Sequence, residues 1–345
     1  MASPVGTALG EPAGFVLAPG VHAGFDPSRA RAVAVSRRMR ERLGDSLRYI
    51  ADTAAGQLRL PPGLPSFFGR LADGPVPPLV FGAYCDLVLA LQGDALDEAE
   101  TLLAEIAGAP NTVPGPAIRC LEDPRTDPAS ARYQRLVDTD PMTPFTIVPP
   151  PAEAVARMRT LIAQAFALID AGNPELAAEI RTIVQEIVLA TGPGGTDAVQ
   201  FDGVSAFLLW GGVVLNATSY ATPIETVQAL AHESGHNLLF GLCADGPLQN
   251  NDDDERYASP LRVDPRPMDG IVHAVYVTAR MHQAVQRLLD AGVLDASDVA
   301  EAESAARRNA EQFASGMTTI DRHAQLTPLG KTVMEGARRY MAAYC

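Results

Sequence analysis

At 345 residues, with 47% apolar and 20% charged side chains, the chain has the composition of a globular protein and can bury the core of one large or two modest domains. Twenty-seven basic against 41 acidic side chains give a net charge of -14, which argues against a nucleic-acid groove or an anionic membrane as main partner. No stretch reaches the roughly 20 apolar residues of a membrane span, and Met1 to Gly10 lacks the basic-then-apolar order of a secretory signal, so a cytoplasmic protein is expected.

Residues 1 to about 25 are rich in Gly, Pro and Ala and read as loosely ordered or extended, with His22 at the surface. From Pro27 to Asp52 the pattern is helical: Val33, Val35, Met39, Leu43, Leu47 and Ile50 supply the apolar positions beside seven arginines. This basic helix is read first as a solvated face and second as a receiver for an acidic peptide. Proline clusters at 61–65 and 74–78 precede two further helices, Leu79 to Leu91 and Leu96 to Ala107. The Pro-rich connection that follows has room for a short strand within Thr139 to Val148. The run Pro149 to Pro151 is the expected boundary between an N-terminal helical region, residues 1–150, and a metal-bearing region, residues 151–345. The first of these is a candidate for peptide recognition. The cysteines Cys85, Cys120, Cys243 and Cys345 form no Cys-x-x-Cys pair and are expected to be free thiols.

Two helices are predicted over Ala152 to Ala171 and Pro174 to Leu189. After Thr191 to Thr196, rich in glycine, Ser205 to Asn216 shows two apolar runs about a Gly-Gly pair, a hairpin signal. Thr222-Pro-Ile-Glu225 then reads as a capping box that opens a helix ending near Gly241. That helix carries His232-Glu233-Ser234-Gly235-His236. Residues four apart share a helical face, so His232 and His236 can address one ion with Glu233 beside them. A hairpin followed by such a helix is the order of elements in zincin-type domains. The expected fold is therefore mainly α with a small β-sheet (α+β), a zincin-like metal helix and β-hairpin surrounded by helices. In such domains a substrate peptide can add a strand along the sheet edge, with Trp210 and Asn216 as candidates to face it.

Two histidines leave a metal site incomplete. Glu255, in the acidic run after the helix, and His273, near the start of a new helix at Met268-Asp269-Gly270, are the candidates for the third ligand. The segment Ser259 to Val277, placed after His-Glu-x-x-His, resembles the HExxH-motif peptide-modification proteins found with ribosomally made natural-product precursors. The resemblance covers about residues 200–290. Members of that family are regarded as iron(II)- and 2-oxoglutarate-dependent peptide β-hydroxylases. The resemblance implies His232, His236 and His273 as metal ligands and assigns no role to Glu233.

Three neutral imidazoles leave the charge of iron(II) uncompensated, which a bidentate 2-oxo acid would offset, although the usual iron oxygenase triad is two histidines and a carboxylate. The distal carboxylate of 2-oxoglutarate needs a cation, best met by the fork of an arginine. Arg280 is the first candidate, two turns after His273, followed by Arg262 and Arg266. The leading expectation is thus an oxygenase that hydroxylates the β-carbon of a precursor-peptide residue with iron(II), 2-oxoglutarate and dioxygen. The alternatives are a zinc metallopeptidase with Glu233 as general base, and a non-catalytic peptide-binding protein with a structural metal. His282 and His323 read as surface or packing residues, and helices are expected over Asp295 to Phe313, Thr318 to His323 and Thr327 to Tyr344.

Overall fold

Prolines and capping side chains set most helix boundaries. In a computed structural model that describes residues 22–54, 56–113, 115–137, 145–194, 201–259 and 264–345, Ser28 caps α1 (Arg29–Thr53) by accepting from the Arg31 amide. The Pro-rich breaks then separate α2 (Leu64–Asp73), α3 (Pro78–Gln92) and α4 (Leu96–Gly108), as the apolar spacing predicts. After β1 (Ala117–Cys120) and α5 (Pro128–Val137), the chain enters α6 (Ala152–Gly172) and α7 (Pro174–Ile183). Asn173 ends one and caps the other, its side chain accepting from the Leu176 amide.

The second predicted helix of this pair does not run to Leu189. It stops at Ile183, and Glu186–Ala190 forms strand β2. A short unbroken apolar run such as Ile187-Val188-Leu189 fits a buried strand as well as a helix, and pairing on both sides decides it. Strands β3 (Gly203–Val204) and β4 (Gly212–Asn216) complete a sheet of order β1-β2-β4-β3 among the described residues. β1 and β4 flank β2 in parallel, while β3 pairs antiparallel with β4, Val204 opposite Val214. The expected hairpin is therefore only partly present: Phe207–Leu209 is a 3-10 turn, and Trp210 leads into β4 from the core. Of the strand foreseen before Val148, residues 138–144 lie outside the described residues; Val148 itself makes an isolated bridge to Thr191.

The sheet's alternation divides its neighbours. Ile187, Leu189, Val213 and Leu215 face α6, α7 and the first half of α8 (Pro223–Leu242), while Val188 and Val214 face Tyr133 and Leu136 of α5. A second apolar cluster joins residues of α1 to α4 to Leu238, Leu239 and Leu242 of α8, to α9 (Met268–Ala291) and to α11 (Pro328–Met341). The long α10 (Ala296–His323) runs unbroken where two helices were expected. The fold is thus mainly helical with a small mixed sheet, and α8 is shared between its two larger cores. No described helix is long and apolar enough to cross a membrane.

Candidate metal centre

Thr222 opens α8 by accepting from the Glu225 amide, while the Glu225 carboxylate reaches back to the Ala221 amide at 2.7 Å. A capped start and two buried apolar ends leave the middle of α8 rigid, and His232 and His236 stand there. Their Nε2 atoms are 3.1 Å apart. Two nitrogens at that separation, each about 2.05 Å from one ion, subtend roughly 100° at it, within the range of ordinary coordination.

Helix α9 supplies the third imidazole. A Cβ on Gly235 would meet Val277 Cγ1 at 3.1 Å, so glycine between the two histidines of α8 permits this approach of α9. His273 then sits with Nδ1 3.0 Å from His236 Nδ1, the two rings 5.3 Å apart and nearly parallel. Phe240, one turn beyond His236, walls the pair, 5.2 Å from the His273 ring. His236 therefore bridges its neighbours with both ring nitrogens, and the third imidazole meets the edge opposite the one that faces His232. Among the described residues, no group of three or more His, Cys, Asp or Glu is placed to hold a metal together.

Burial pushes all three imidazoles toward the neutral form. His232 is lowered to about 4 by burial and then by His273; His236 falls well below its ordinary value by burial and its two neighbours; His273 is lowered by burial, with Asp269 opposing. Neutral imidazole is the ligating form, so no proton need be removed before a metal binds. Asp269 Oδ1 stands 4.0 Å from His273 Nε2.

Glu233 is buried against β3. Its Oε2 accepts the Ser205 hydroxyl at 2.8 Å, its Oε1 lies 3.9 Å from His232 Nε2, and a Cβ on Gly203 would come within 2.5 Å of that same Oε1. Burial raises its carboxyl to about 8, against the lowering by Ser205. Asn237 locks this arrangement to the sheet: its Oδ1 accepts the Gly211 amide, its Nδ2 donates to Gly212 O and Ser205 Oγ, and its backbone carbonyl accepts the Trp210 indole at 2.9 Å. Trp210 and Asn216, considered as groove residues, are both buried, Asn216 donating to Phe201 O.

Arg280 takes another place from the one its spacing suggests. Its stem passes Gly235, but the guanidinium donates to Glu179 and to the Phe25 carbonyl in the core. Arg31 of α1 donates to the other oxygen of Glu179 at 2.6 Å. Burial pushes Glu179 up, and the two arginines outweigh it and hold the carboxylate below its ordinary value. Arg266 lies 2.8 Å from Asp264 and pairs through its backbone with Tyr257; Arg262 lies outside the described residues. Glu255 is exposed and accepts the Tyr257 hydroxyl. Cys243 is a thiol pushed up to about 12 by burial. His282 is a packed residue, hydrogen-bonded to Tyr340, and His323 is exposed against Tyr257.

Compared with protein-family models and with curated proteins, the chain matches none.

Proposed function

We propose that this chain is an iron(II)- and 2-oxoglutarate-dependent oxygenase that hydroxylates the β-carbon of a residue in a ribosomally made precursor peptide. The observation that carries the reading is the gathering of three neutral imidazoles from α8 and α9, His273 buried and the other two half-buried, with His273, not Glu255, against the His232/His236 pair. A donor set of uncharged nitrogens fits a divalent transition metal and leaves its charge for an anionic co-substrate. His232, His236 and His273 would hold the ion. Iron(II) would supply dioxygen activation coupled to decarboxylation of 2-oxoglutarate, one oxygen atom going to succinate and the other to the peptide carbon.

The chain's own residues do the positioning. Phe240 and the α8–α9 contact keep bulk water from one side of the imidazoles. Glu233, tied to Ser205, holds its proton at a fixed point beside His232. Among the described residues β3 is the edge of the sheet, next to Glu233, where an extended peptide can add its backbone. With Arg280 committed to Glu179, the candidates for the distal carboxylate of 2-oxoglutarate are Arg262 and Arg266, between α8 and α9 in the sequence, and Arg266 would take it by exchanging its partner Asp264. The zincin-like reading of the fold enters here too: a sheet edge and a His-Glu-x-x-His helix side by side.

Anaerobic loading with iron(II) followed by 2-oxoglutarate should give a metal-to-ligand charge-transfer band, and admission of air should yield succinate. Absence of both overturns the proposal. The second reading, a zinc metallopeptidase, is favoured by one contact: Glu233 Oε1 lies on the Nε2 edge of His232, where a general base would stand. Cleavage of peptides by the zinc-loaded chain, abolished in Glu233→Gln, would favour it over the oxygenase.

A further inference from the structure

The Nδ1 atom of His232 faces away from the other two histidines and lies 3.2 Å from the Sδ atom of Met281, eight residues beyond His273 on α9. Sulfur packed on an aromatic ring ordinarily stands about 5 Å from it, so this approach to a ring nitrogen has the distance of a hydrogen bond. A thioether can accept but has no hydrogen to donate. The contact is therefore favourable only when His232 carries its single proton on Nδ1, and that tautomer leaves the Nε2 lone pair bare, on the edge that faces His236.

The geometry points to Met281 as a positioning residue that sets the tautomer and ring plane of His232. The inference rests on His232 being a metal ligand and stands for whichever divalent ion the site takes. Histidine ligands are ordinarily backed by a carboxylate, a carbonyl or water, and those partners raise the basicity of the ligand. A thioether is a weaker acceptor. It orients the ring without enriching its electrons, so His232 is a weaker donor than a histidine backed by a carboxylate. His273, by contrast, has the Asp269 carboxylate 4.0 Å from its far nitrogen. The site thus has a thioether-backed donor on α8 and a carboxylate-facing donor on α9.

The test compares the wild-type chain with Met281→Leu, which keeps the volume and removes the acceptor, and with Met281→Gln, which restores an acceptor of another kind. In metal-free protein labelled with 15N at histidine, His232 should be found as the Nδ1–H tautomer in the wild type and in Met281→Gln, and as a mixture in Met281→Leu. Titration with cobalt(II) should show affinity reduced on the order of tenfold in Met281→Leu, the low end of the range for lost second partners of ligating histidines, with recovery in Met281→Gln. An unchanged tautomer and unchanged affinity in Met281→Leu overturn the inference. Should the wild-type chain bind no metal, the metal reading fails separately, and the tautomer comparison still decides what Met281 does.

Discussion

Helix α9 carries two buried polar clusters seven residues apart, and they are built on opposite principles. Around Arg280, charge meets charge: Glu179 lies between Arg280 and Arg31, and the carbonyls of Phe25 and Asp26 take further guanidinium hydrogens. Around His273, His236 meets both other imidazoles, the Asp269 and Glu233 carboxylates stand 4.0 and 3.9 Å away, and burial keeps the rings neutral. The first cluster ties residues 25 to 31, α7 and α9 into one body through its charges, although Arg31 Nε and Arg280 Nε stay buried with no hydrogen-bond partner among the described residues. In the second, the close partners of the ring nitrogens are one another and the Met281 sulfur. Opposite charges account for the first cluster by themselves, whereas a gathering of like, uncharged rings is what the proposed metal would account for.

The contrast is broken most severely by Glu179→Ala. It strips two buried guanidinium groups of their shared counter-ion, and stability should fall by about 3–5 kcal/mol, read from chemical denaturation of the metal-free chain. A loss below 1 kcal/mol would show that the cluster does not fasten the fold. The same substitution's counterpart at the other cluster is His273→Ala. Here stability should move by no more than about 1–2 kcal/mol while retention of cobalt(II) collapses, measured by metal analysis after dialysis. A chain that keeps its metal without His273 leaves only the α8 pair as ligands.

Gly203→Ala sharpens the boundary between the imidazoles and the sheet. The added methyl meets Glu233 Oε1 at 2.5 Å, so the carboxyl must turn from Ser205 or β3 must shift, at a cost of about 1–3 kcal/mol. A crystal structure of the variant with Glu233 unmoved would contradict this. The smallest expected effect concerns acid. His282, lowered to about 4 by burial, favours its neutral form in the fold. Its contribution is complete above the ordinary value of 6.5 and is lost as pH falls from there toward about 4. Replacement by Gln should flatten stability against pH in that window relative to wild type; an identical slope in both chains would remove His282 from the acid response.

What the sequence displayed and what it hid follow from the range of the interactions concerned. Thr222-Pro223 and the i, i+4 histidines are local, and both the start of α8 and the facing of His232 and His236 were legible from spacing alone. His273 stood beside Glu255 as a candidate and only the resemblance chose between them, because its meeting with His236 depends on how α8 and α9 cross. The parallel pairing of β1, β2 and β4 was not legible: Glu186–Ala190 reads equally well as helix until two strands lie beside it. Arg280 stood at the right helical offset to serve the histidines, yet Glu179, a hundred residues upstream, captures it. Nothing local in either segment announces that pairing. Met281 and Ser205 likewise gain their roles from partners in other elements, and neither residue type signals them.

The chain contains one tryptophan. Trp210 is enclosed beside Phe81 with its indole hydrogen on the carbonyl of the residue following His236. Its emission is consequently an optical gauge fixed to the middle of α8: ligands that settle among the imidazoles should shift its wavelength or lifetime in a sample carrying no added dye.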